Sequence, residues 1–225
     1  MTNTLHRYGD ADSFRDDYVV FAIASRGKNE QDSVPKLRKF LDMARRFKPV
    51  NLGDARHGGA LRPSRSMNPL SHWKRENTPD FEAVIAGLDT TTTAAAVFDN
   101  LASAEDFVKA VKEADLGLSI NISTSIDGAG QCCDSANLCR HSVGYSLGFE
   151  GKTEHLANED VLKLATMCGH GMVSASLAKK MIDWVKEGRR TPDQAVAYLT
   201  RFCSCGVFNP ARGKRILEEA RTRTK

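Results

Sequence analysis

The feature that most limits the architecture is a change of hydrophobic pattern near residue 152. Before it, short β-rich apolar runs alternate with amphipathic helical stretches; after it, every periodic segment is helical. That order predicts an α/β fold, a layered sheet with flanking helices over residues 1–152. An all-helical C-terminal subdomain follows over 153–225.

The predicted strands are Tyr18 to Ala24, Phe81 to Gly87, Leu116 to Ile126 and His141 to Phe149. Asp89 to Phe98 reads either as a further strand or as a hydroxyl-rich loop entering a short helix. The first helix spans Ser33 to Phe47, with Leu37, Phe40, Leu41 and Ala44 at spacings of three and four, and Pro35 in its first turn. Ser103 is the expected cap of a second, ending near Ala114. A short helix carrying Cys132 and Cys133 follows the turn Asp127-Gly-Ala-Gly130. In the last third, Asn158, Ser174, the capping box Thr191-Pro-Asp-Gln194 and Asn209-Pro210 each open a helix.

Residues 49 to 79 read as a long basic loop. Between Lys36 and Arg75 the chain holds 11 Lys and Arg, among them Arg62, Arg65, Lys74 and Arg75, against Asp42 and Asp54. Such a stretch is either a solvated face or an attractant for anions. Nucleic acid is disfavoured, because no zinc-finger, RRM or KH motif accompanies the charge. A small anionic substrate fits better. An electron- or sulfur-donor protein and a second copy of the chain, as a homodimer, are the other candidate partners.

No apolar run approaches the roughly 20 residues that span a bilayer, and the N-terminus lacks the apolar core of a secretory signal. The implied location is cytoplasmic, where clustered cysteines hold metal or do redox work more often than they form structural disulfides.

All 6 cysteines lie between Cys132 and Cys205. Met167-Cys-Gly-His-Gly-Met172 and Phe202-Cys-Ser-Cys-Gly-Val207 place thiols in glycine turns, where backbone N–H groups can face sulfur. Met167, Met172, Phe202 and Phe208 would form a dry lining. Cys168 shares a helical stripe with Val161, Leu164 and Ala165, and Cys203 one with Leu199 and Phe202. The metal ligands expected are therefore Cys168, Cys203 and Cys205, with Cys133 as the fourth and Cys132 or Cys139 as alternates. An iron–sulfur cluster, 4Fe-4S first, is the favoured cofactor, and zinc the alternative.

His141 and His170 are the candidate general acid and base. His155 reads as surface, and His6, His57 and His72 fall in polar segments with no assigned role. Ligands of α/β layers bind beyond the carboxyl ends of the strands. That rule groups Arg26, Thr91, Asn121, Ser123, Asp127 and Gly128 as substrate contacts. The function expected from these features is an iron–sulfur lyase, sulfur-transferring or redox enzyme acting at the junction of the two parts. Two alternatives stand beside it: a zinc-stabilised, non-catalytic binding or accessory module, and a metal-free thiol redox or sulfur-transfer protein.

Overall fold

A computed structural model describes residues 3–61 and 80–223. Most of the predicted basic loop, including Arg62, Arg65, His72, Lys74 and Arg75, lies outside these residues.

Among the described residues five strands form one sheet: β1 (Tyr18–Ile23), β2 (Asn51–Asp54), β3 (Gly58–Gly59), β4 (Thr93–Phe98) and β5 (Ser119–Ser123), in the order β3-β2-β4-β1-β5. Every pairing is antiparallel. β4 is the central strand, and β1 lies between β4 and β5, with Tyr18 opposite Phe98 on β4 and Val19 opposite Ser123 on β5.

Successive side chains of a strand point to opposite faces, and here both faces are covered. Tyr18, Val20, Ala22, Ala94, Ala96 and Phe98 face one core. That core also takes Leu37, Phe40 and Leu41 of α1 (Ser33–Arg45) and Phe107 and Val108 of α3 (Leu101–Ala114). Val19, Phe21, Ala95 and Val97 face the other core, under the C-terminal helices. Burial on both sides explains why β1 and β4 are apolar at nearly every position instead of alternating with polar residues. The result is a helix–sheet–helix sandwich, an α/β arrangement followed by a helical region.

Four helices build the second layer: α5 (Glu159–Ala165), α6 (Ala175–Lys186), α7 (Pro192–Thr200) and α8 (Pro210–Thr222). Each starts where the sequence places a cap. Asn158, Ser174, Thr191 and Asn209 accept backbone N–H groups of the first turn, and Gln194 completes the capping box with Thr191.

Several elements differ from expectation. Phe81–Gly87 is a helix, α2, because Asp80 accepts from Ala83 N–H and caps it. Phe81, Val84 and Ile85 then share one side and pack on the first core. The cap of α3 is Asn100, and Ser103 supplies the N–H it accepts. β2 and β3 lie inside the predicted loop. Residues 141 to 149 form no strand and are exposed throughout; Gly148, at φ +89°, takes a left-handed conformation that breaks an extended run. No helix among the described residues is long and apolar enough to cross a membrane.

Candidate metal centre

Two turns of the C-terminal layer meet at the sheet. The first follows α5, where Thr166 donates its hydroxyl to Leu162 O at 2.8 Å and accepts Tyr8 N–H at 2.9 Å. Cys168 comes next, followed by Gly169 at φ +80° and Gly171 at φ +66°. The second turn follows α7. Cys203 N–H donates to Thr200 O at 3.0 Å, and Phe208 N–H donates to the Cys203 sulfur at 3.2 Å.

Glycine sets how closely the second turn approaches the sheet. Gly206 stacks backbone on backbone against Gly53 and Gly59 of the β2–β3 hairpin; a Cβ on it would stand 2.5 Å from Gly53 Cα. No other residue fits three such positions.

These turns bring Cys168, His170 and Cys205 together, with their ligand atoms within 4.8 Å of one another. Cys203 stands two residues before Cys205 in the same turn, and the two thiols act on each other electrostatically. Cys168, Cys203 and Cys205 are buried in the second core, whereas His170 is exposed at the rim. The hydrogen bond from Cys205, aided by the backbone and ring of His170, brings the Cys168 thiol down to about 5 against the effect of burial. Cys203 is also lowered, first by Cys205, while Cys205 is raised well above the ordinary range by its bonds to both. The lowered Cys168 thiol favours the thiolate, the form that binds metal. The group could bind a metal ion. Met167 and Phe208 are buried beside it, Phe202 is partly buried, and Met172 is exposed.

The other predicted ligands lie elsewhere. Cys132 and Cys133 sit on α4 (Ile126–Ser135), which packs on the first core, across the sheet. Burial pushes Cys132 up to about 12 and also raises Cys133. Cys139 and His141 are exposed in the segment after α4 and do not join the group.

The predicted substrate residues are not brought together. The strand-end rule applies to strands running the same way, and β1 is antiparallel to both neighbours. Arg26 and Thr91 therefore lie near the end where Ile23 pairs with Thr93 and Ser119. Ser123, Asp127 and Gly128 lie at the other end, where Ser123 pairs with Val19 about 13 Å along the strand from Ser119. Asn121 stands between, opposite Phe21. Gly128 N–H is already taken by the Ser125 hydroxyl at 3.1 Å, and Thr91 bonds Ser33 through their hydroxyls at 2.9 Å. A cleft of about 450 Å³ lies between Val50 and the residues Val196 and Lys214, and no cysteine lines it.

Two polar groups escaped the sequence. His57 Nδ1 lies 3.1 Å from the buried Asp54 carboxylate, and its Nε2 lies 3.1 Å from Asp89. Arg7, Asp17 and Arg212 form a buried ionic cluster beside the Cys168 turn. The first two are 10 positions apart and the last two 195, so no local spacing announces it.

Comparison with protein-family models, curated proteins and solved structures finds no match to this chain.

Proposed function

We propose that Cys168, His170, Cys203 and Cys205 bind a single zinc ion, and that the protein is a zinc-stabilised binding module. The convergence of two thiols and one imidazole within 4.8 Å, with Cys203 two residues from Cys205 in the same turn, carries this reading. Zinc takes such sets tetrahedrally, and zinc–sulfur bonds of about 2.3 Å put neighbouring donors about 3.8 Å apart. The donor atoms of Cys168, His170 and Cys205, within 4.8 Å of one another, reach that spacing with small side-chain movements, and Cys203 would turn toward them as the fourth. Four protein donors close the coordination sphere, the hallmark of structural sites. The ion would tie the turn after α5 to the loop resting on β2 and β3. The basic stretch from Lys36 to Arg75 would then suit an acidic partner.

An iron–sulfur enzyme is the second reading. The N–H bond from Phe208 to the Cys203 sulfur favours it, as does His170, an exposed ligand that could yield to a small anionic substrate. A cluster core stands between its thiolates and needs them farther apart, which is why zinc comes first.

Anaerobic purification followed by zinc, iron and sulfide analysis separates the two. One zinc per chain without visible absorbance supports the first reading. Iron with sulfide and a brown chromophore supports the second, and a metal-free protein that takes up neither refutes both. Cys168→Ala and Cys205→Ala should each lose the metal, whereas Cys133→Ala should keep it.

A further inference from the structure

Eight large apolar side chains are exposed among the described residues, and seven of them lie between Ile126 and Leu156. Within that stretch Val143, Tyr145 and Leu147 alternate with Ser142, Gly144 and Ser146. Alternation of this kind is the pattern of a strand with one apolar face. Yet no backbone N–H or C=O of residues 142–147 meets another backbone group among the described residues. The run also presents the unexpected side to water. A Cβ on Gly144 would stand 3.6 Å from Leu5, so the small-residue side meets the protein there. Val143, Tyr145 and Leu147 are meanwhile 56%, 64% and 83% exposed.

The run is tied to its own chain at both ends. Before it, Arg140 Nη1 donates to Ile126 O at 3.3 Å. After it, Gly148 turns the chain at φ +89°, and Phe149 stacks on Tyr8 with ring centroids 5.7 Å apart.

The same chain carries a sheet edge of matching pattern. β5 ends the sheet and, among the described residues, pairs only with β1. Leu118, Ile120 and Ile122 pack partly buried on the first core, while Ser119 and Asn121 are exposed. Every pair of the sheet is antiparallel. Laid antiparallel to β5, Val143, Tyr145 and Leu147 stand opposite Ile122, Ile120 and Leu118. Ser142, Gly144 and Ser146 then stand opposite Ser123, Asn121 and Ser119. Opposite residues share a face, so apolar side chains meet apolar ones and small polar residues meet their like.

We infer that the protein forms a two-fold dimer by strand addition, in which residues 142–147 of each copy extend the other's sheet along β5. A second copy supplies both halves of the match, the unpaired run and the open edge, and a two-fold axis lets each copy use both. The pairing satisfies the backbone groups of run and edge together and covers three exposed apolar side chains per copy. It does not depend on the cysteine site.

Sedimentation velocity and hydrogen–deuterium exchange over a concentration series of the full chain test this, in reductant so that exposed Cys139 forms no disulfide. The wild type should pass from monomer to dimer, with the amides of β5 and of residues 142–147 slowing together as it does. Tyr145→Lys combined with Leu147→Lys should weaken association by at least about 10-fold. Its circular dichroism and melting should match the wild-type monomer, because both side chains are exposed. A wild type still monomeric at about 1 mM overturns the inference. So does a dimer that persists in the double variant, or one whose protection leaves out β5. Slow exchange of both segments in a monomer would mean that the run closes on its own β5, and overturns it as well.

Discussion

Gly206→Ala is the sharpest perturbation of the loop that holds Cys203 and Cys205. Gly206 has φ +73°, where an alanine costs about 1–2 kcal/mol from backbone strain alone. Its Cβ would also lie 2.5 Å from Gly53 Cα and 2.6 Å from Gly53 N. Carbon atoms pack at about 3.5–4.0 Å, so the loop and the hairpin must part by about 1 Å. Overpacking of that kind adds about 1–3 kcal/mol. Gly27 provides the control, because it has φ +68° and nothing within 4 Å of an added Cβ. Gly27→Ala therefore carries only the strain, and Gly206→Ala carries the strain and the collision. The two should differ in melting temperature by roughly 6 °C, with Gly206→Ala lower. Circular dichroism in excess chelator measures this free of any metal contribution. Equal melting of the two variants would refute the claim that the loop rests backbone to backbone on the sheet.

Two further outcomes follow from the site. Chelation should lower the melting temperature of zinc-loaded protein, because a ligand at about 1,000 times its Kd stabilises the folded state by about 4 kcal/mol; calorimetry with and without chelator reads this. At neutral pH, iodoacetamide should modify exposed Cys139 well before Cys132, whose burial pushes its thiol up to about 12 and keeps thiolate scarce. Peptide mass spectrometry after timed alkylation checks the order, and equal rates would count against burial of Cys132.

The sequence was most legible where a local signal has one physical meaning. Asn158, Ser174, Thr191 and Asn209, each just ahead of an apolar periodic run, all accept N–H groups of a helix start, whereas Ser103 yields that place to Asn100. The helical phase of Cys168 and Cys203 likewise placed both thiols on the core side. Strand direction was not legible, because hydrophobic periodicity does not record which way a strand runs. The expected grouping of Arg26 with Ser123 failed to form for that reason. Phe81 to Gly87 fits both periods over seven residues, and Asp80 decided the outcome. β2 and β3 contain almost no β-formers, since Gly53, Gly58 and Gly59 serve close backbone contact instead. Arg7 was the hardest to anticipate, for its contacts with Asp17 and Ser123 follow no local spacing.

The sheet also divides the thiols by history. Cys132 and Cys133 lie on one side of it, and Cys168, Cys203 and Cys205 on the other. A disulfide needs Cα atoms within about 7 Å, a distance the intervening wall of strands denies to any pair drawn from both sides. Bonds within the second set can form in the folded chain, but a bond across the sheet can form only while the strands are apart. The pattern of disulfides in an oxidised sample therefore records whether each molecule was folded when oxidant reached it.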